Sequence, residues 1–354
     1  MPANLFPFHE YWWFYLSFTA LVVLLLSLDL GVFHRSAHAV GFREASLWVM
    51  VWISLALIFC FGLYQYSLWR FPQVERLASL PGFDPAAAAR RVALEFLTGY
   101  ILEESLSVDN MFVFVVVFNY FAVPPAYQHR VLFYGILGAL VFRAAFIAVG
   151  AVLIRFQVVV IVFGAALILT GIRMMFGAEK PIDPERNPVI RLFRRYVPLT
   201  PGMHGQRFLV RLGGRMHATP LLVCLLFLEM TDILFAIDSV PAIFAVTREP
   251  MIVFTSNIFA ILGLRAMYFL LAGAVDRFYL LKYGLGFVLI FVGLKMVWLN
   301  RLFGGHFPIG VSLAIITGVL AGSILLSLLF PKRHPPPAAP EMALDPEGTE
   351  KRGT

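Results

Sequence analysis

The stretch LEMTDILFAIDSVPAIFA, residues Leu228 to Ala245, decides how the chain is read. It sets Glu229, Asp232 and Asp238 inside an apolar run from Leu221 to Val246, long enough to cross a bilayer as a helix. A carboxylate at mid-membrane costs roughly 2.5 to 3.5 kcal/mol on insertion scales, so three of them cost on the order of 10 kcal/mol before compensation. A cation, a proton or a counter-ion is therefore expected in the same place. Snorkelling to the interface fits poorly, because Asp232 lies near the middle of the run and aspartate has a short side chain.

The rest of the chain agrees with a membrane setting. It has 354 residues, 60% hydrophobic and 14% charged, with a mean hydropathy of +0.82, which belongs to polytopic membrane proteins rather than soluble ones. Nine apolar runs follow one another: Tyr11–Phe33, Leu47–Trp69, Leu94–Ala122, Val131–Ile154, Phe156–Phe176, Leu221–Val246, Ile252–Ala274, Tyr279–Trp298 and Pro308–Phe330. Each is near the roughly 20 residues a spanning helix needs, so the expected fold is an all-α polytopic membrane protein of about nine transmembrane helices. The first run is too long, and too poor in preceding basic residues, for a cleaved signal peptide. Cys60 and Cys224, the only cysteines, form neither a disulfide framework nor a thiolate metal motif.

Charge distribution sets the expected topology. The net charge of +7 includes nine basic residues between Arg173 and Arg215, and the positive-inside rule then places the N-terminus outside and the C-terminus in the cytoplasm. Lipid is the expected surroundings, and nucleic acid is not an expected partner. Val189, Leu192, Phe193 and Tyr196 recur at helical spacing among Arg191, Arg194 and Arg195, as in a short basic amphipathic helix on the inner leaflet. Tyr11, Trp12, Trp13, Phe14 and Tyr15 read as an anchor at the outer interface. The proline-rich tail after Lys332 reads as disordered.

An internal repeat is visible. Asp109-Asn110 matches Asp238-Ser239, and six residues before each aspartate stand Glu103 and Asp232. The following runs carry Arg143 in FRAAF and Arg265 in LRAMY. The next share Gly164, Gly171, Arg173 and Met174 against Gly286, Gly293, Lys295 and Met296. A three-helix unit repeated once must cross the membrane in opposite senses, so two inverted three-helix repeats are expected. The organisation read from this is an N-terminal pair of helices with its connection (1–92), the first repeat (93–176), a basic cytoplasmic loop (177–219), the second repeat (220–300), a last helix (301–331) and the tail (332–354).

Inverted repeats place their substrate site where the halves meet. The candidate ion ligands are Glu103, Asp109, Asn110, Glu229, Asp232, Asp238 and Ser239, with Arg143 and Arg265 as counter-ions and Asp29, Glu104 and Ser107 as a second tier. Six residues turn a helix through about 600°, so Asp232 and Asp238 sit roughly 120° apart and cannot both face one ion from a regular helix. Pro241, which frees the carbonyl of Ile237, offers a kink or break beside Asp238. Oxygen donors without histidine or cysteine suit Mg, Ca or Mn better than Zn or Cu, with protons as the rival ion and no choice among the hard cations. No HExxH or GxSxG signature supports an enzyme.

The segments EESLSVDNMFVF at Glu103–Phe114, TDILFAIDSVPAIFA at Thr231–Ala245, FTSNIFAILGLRAMYFLLAG at Phe254–Gly273 and LDLGVFH at Leu28–His34 are similar to the TerC family of integral membrane proteins, in its Alx-like branch. The resemblance spans about Leu28 to Phe330. It implies an inner-membrane transporter-like protein linked to manganese export and tellurium resistance. The acidic motifs would form the metal path, with Mn²⁺ or a similar ion as cargo rather than a resident cofactor. A membrane scaffold for a tellurium- or stress-resistance system is the alternative. The residues leave oligomeric state open.

Overall fold

The computed structural model describes residues 5–28, 41–176, 197–272, 279–303 and 307–330. Nine long helices run through these residues: α1 Phe8–Leu28, α2 Phe42–Arg70, α3 Pro85–Tyr120, α4 Pro125–Leu153, α5 Gln157–Phe176, α6 Pro220–Val246, α7 Pro250–Leu271, α8 Leu281–Leu294 and α9 Ile309–Leu329. Beyond Leu294, α8 continues through a π turn, Lys295–Leu299, to Leu302. Proline occupies the first turn of α3, α4, α6 and α7, where its missing amide costs nothing and its fixed φ favours the helix. Asp84 caps α3 by accepting the Ala86 and Ala87 amides at 2.9 and 3.2 Å.

Eight of the nine helices are long and apolar enough to cross a membrane. The ninth, α3, carries Arg90, Arg91, Glu95, Glu103, Glu104 and Asp109 along 36 residues, about 54 Å of helix. It is tolerable in a bilayer because α2, α6, α7 and α9 pack around it, leaving Glu95 and Glu103 buried. The outer surface carries the opposite chemistry: Leu24, Ile58, Val141, Val158, Leu169 and Leu329 are exposed, an apolar band that only lipid makes favourable.

The centre of the molecule is α3, α4, α6 and α7. There α3 packs on α7, α4 on α6, and each on the remaining neighbour. Beside this core, α5 and α8 cross along glycine contacts. A Cβ on Gly171 would stand 2.5 Å from the Gly286 carbonyl oxygen, and one on Gly293 would stand 2.6 Å from that of Gly164. On the opposite flank α1 is held through rings, with Phe18 against Phe59, Phe254 and Phe259.

Several expectations change. The helix expected to open the first repeat, α3, starts at Pro85, so a boundary at residue 93 falls inside it; a boundary at 300 likewise falls inside the end of α8. The helix grows outward past the apolar run because Asp84, Pro85 and four consecutive alanines initiate it strongly. Pro241 does not break α6, which stays helical to Val246. Tyr11 does not face the interface with its neighbours: it is 3% exposed and meets Phe6 edge to face at 5.2 Å. The basic loop contains a hairpin, β1 Leu209–Leu212 with β2 Arg215–Ala218, antiparallel with Leu212 opposite Arg215. Gly213 and Gly214, with φ of 55° and 79°, form its two-residue turn. The amphipathic segment Val189–Tyr196, Asp29 and the tail lie outside the described residues.

Candidate functional site

Four helices each send one polar side chain to a common point: Glu103 from α3, Arg143 from α4, Asp232 from α6 and Asn257 from α7, all buried. The Arg143 guanidinium pairs through Nη1 with Glu103 Oε1, donates from Nη1 to Asn257 Oδ1 at 2.9 Å, and donates from Nη2 to Asp232 Oδ1 at 3.2 Å. The planar fork suits this, because its donors diverge in one plane toward partners on three other helices. Two carboxylates against one guanidinium leave a formal charge of minus one. Glu103 Oε2 and Asp232 Oδ2 are buried with no hydrogen-bond partner.

Beside Asp232 lies a cavity of about 20 Å³, enough for one water or one ion. Glu229 and Asp232 supply its charged lining, three residues apart on one face of α6; Phe114, Leu132, Ile136 and Ile261 are among its apolar walls. Glu229 Oε2 also has no hydrogen-bond partner, so each of the two acids lining this small apolar-walled space carries one buried, unsatisfied carboxylate oxygen. Unmet acceptors in such surroundings favour a cation or a proton.

The other candidates separate. Asp238 does not reach Arg143: it accepts a hydrogen bond from Thr170 of α5 at 3.2 Å, as expected for two aspartates about 120° apart on an unbroken helix. The Glu104 carboxylate lies beside Gly263 of α7, away from the Arg143 cluster's hydrogen bonds. Asn110, Ser107 and Ser239 are buried, and both serine hydroxyls lack a hydrogen-bond partner. Arg265 is buried in α7. Asp109 lies on α3, but its side chain is outside the described residues. Among the described residues no three His, Cys, Asp or Glu side chains stand together as a ready metal cage. Between Glu103 and Asp232 stands the Arg143 guanidinium instead.

Asn257 was not among the candidates read from the sequence, although an asparagine eight residues before Arg265 in an apolar run was a visible signal. A second polar network was also missed. Glu95 accepts Arg91 Nε at 2.7 Å and Thr247 Oγ1 at 2.5 Å; Thr247 Oγ1 in turn accepts the Glu249 amide at 3.2 Å. The Glu249 carboxylate accepts the Leu5 and Phe6 amides at 2.8 and 3.3 Å, pinning the segment before α1. Burial raises the Glu249 pKa above the ordinary carboxylate value, outweighing the opposite pull of those two amides.

Apolar helices around a buried charged centre, with an apolar outer surface, define a multi-pass membrane protein. Residues 88–335 match the integral membrane protein TerC family, and the chain belongs to that family. An uncharacterised membrane protein of Myxococcus xanthus is 50% identical over 321 residues, covering 90% of this chain and 93% of its own length. The "Putative membrane-bound redox modulator Alx" of Escherichia coli strain K12 is 42% identical over 320 residues, covering 90% and 95%. No solved structure matches the chain.

Proposed function

We propose that this protein is a secondary transporter that carries a hard divalent cation, manganese foremost, out of the cytoplasm across the inner membrane in exchange for protons. The observation that carries the reading is one cavity among the four central helices lined by two acids, Glu229 and Asp232, each of which has a buried carboxylate oxygen without a hydrogen-bond partner. All the donors near it are oxygens, which suits Mn²⁺, Mg²⁺ or Ca²⁺. A cation entering the cavity competes with Arg143 for Asp232, while Glu103 and Asn257 retain the guanidinium. Carboxyl protons released on metal entry would supply the exchange.

Two inverted repeats would give such a site alternating access. Supporting that arrangement, α3 on α7, α4 on α6, and α5 on α8 are the pairings that a twofold axis relating residues 93–176 to 220–300 would generate. The Gly171–Gly286 and Gly164–Gly293 contacts are reciprocal in the same sense. The basic loop supports an outside N-terminus and a cytoplasmic C-terminus.

Manganese uptake into everted vesicles tests the proposal. Asp232→Asn and Glu229→Gln should each abolish uptake, and unchanged uptake in both variants overturns it. A scaffold for tellurium or stress resistance would instead tolerate Asp232→Asn and fail when Arg191, Arg194 and Arg195 are replaced.

A further inference from the structure

Gly138 of α4 lies directly against the Glu229 carboxylate: a Cβ built there would overlap both carboxylate oxygens and Cδ. The obstacle is the far end of a flexible side chain rather than backbone, so a methyl group at 138 would displace the carboxylate and leave the helices in place. Glu229 lines the cavity together with Gly135, Ile136 and Ala139, the α4 residues around Gly138, so displacing its carboxylate changes the lining of that cavity. At the aligned positions of the first and second repeats stand Tyr100 and Ala260, so this juxtaposition of glycine and acid belongs to one half only.

The cavity has room for about one ion, and Glu229 is one of its two acidic linings, so a shift of that carboxylate alters the space left for a cation. Resting on the transporter reading above, we propose that Gly138 is a positioning residue that sets which divalent cation the site accepts, by letting the Glu229 carboxylate withdraw against bare helix backbone. Oxygen ligands stand about 2.0–2.1 Å from Mg²⁺ and about 2.3–2.6 Å from Ca²⁺. Pushing the carboxylate inward therefore penalises the larger ion.

The test compares wild type, Gly138→Ala, Glu229→Asp, the double variant and Gly62→Ala, whose added methyl meets no atom within 4 Å. Everted vesicles are assayed for competition of Ca²⁺ and of Mg²⁺ against Mn²⁺ uptake. The same membranes are treated with dicyclohexylcarbodiimide, and modification at position 229 is read by peptide mass spectrometry. Gly138→Ala should shift the Mg²⁺-to-Ca²⁺ competition ratio toward Mg²⁺ by about tenfold, the scale of one methylene in a fitted pocket. It should also speed modification of the carboxyl now projecting into the cavity. Glu229→Asp, one methylene shorter, should restore both in the double variant, and Gly62→Ala should change neither. An effect of helix propensity alone would appear equally in Gly62→Ala. Unchanged modification in Gly138→Ala, or altered modification with an unchanged ratio, overturns the proposal. Failure of the transporter reading is distinguishable: wild type then moves no metal, although the modification difference persists.

Discussion

Arg143 on α4 and Asp232 on α6 are joined by a hydrogen bond of 3.2 Å in the buried centre of the bundle, although 89 residues separate them in the chain. The guanidinium also holds Glu103 and Asn257, so Asp232 shares its only described cationic partner with two other side chains. Loss of the Asp232 contact would therefore leave Arg143 still bonded to Glu103 and Asn257 rather than buried as a bare charge.

Removing that guanidinium should be costly. Arg143→Leu leaves Glu103 and Asp232 buried without their cation, and thermal unfolding in detergent should show a loss of about 3–5 kcal/mol. Adding Glu103→Gln and Asp232→Asn to it should recover part of the loss. A wild-type melting temperature for Arg143→Leu would contradict the network.

Metal binding should stabilise the folded protein by mass action. Mn²⁺ at about one hundred times its dissociation constant should add about 2.7 kcal/mol, removed by EDTA. Asp232→Asn should lose most of this protection while keeping a bond from Arg143, because an amide oxygen still accepts. Equal protection of variant and wild type would place the metal elsewhere.

The α5–α8 crossing should resist even one methyl group. Gly171→Ala sets a Cβ 2.5 Å from a backbone oxygen of Gly286, which cannot swing aside as a side chain can. A loss of about 1–3 kcal/mol is expected in detergent unfolding, against little change for Gly62→Ala. Similar melting of the two variants would argue against close backbone packing there.

Glu249 gives a signed pH dependence. Its folded pKa is raised by burial, so the folded state binds the proton more tightly than the unfolded chain. The resulting stability is fully present below the ordinary carboxylate pKa of about 4.3 and is lost as pH rises through the higher folded value. Glu249→Gln, which keeps an acceptor for the Leu5 or Phe6 amide, should flatten that part of the profile. An identical pH profile in the variant would show that Glu249 does not contribute it.

Much of this protein was legible in the chain. Spanning helices are a local property, because about 20 consecutive residues must be apolar whatever surrounds them; the nine runs therefore mark the nine long helices of the described residues, though α2, α3 and α4 begin five to nine residues before their runs. The cost of charge in lipid likewise pointed to Glu103, Arg143, Glu229 and Asp232 before any packing was known. Even the Gly213-Gly214 turn of the hairpin was a readable signal within what was read only as a basic loop with a short amphipathic helix.

Partners were decided only in three dimensions. Hydropathy says that Asp232 and Asp238 lie in one helix, but rotation about its axis and the neighbours on each side send one to Arg143 and the other to Thr170. Asn257, Glu95, Thr247 and Glu249 gained their roles the same way, through helices brought together from distant parts of the chain. The amino-acid order determined which segments enter the membrane and which charges they must carry. The tertiary packing decided which charge faces which, because a side chain's direction is settled by the helices that close around it.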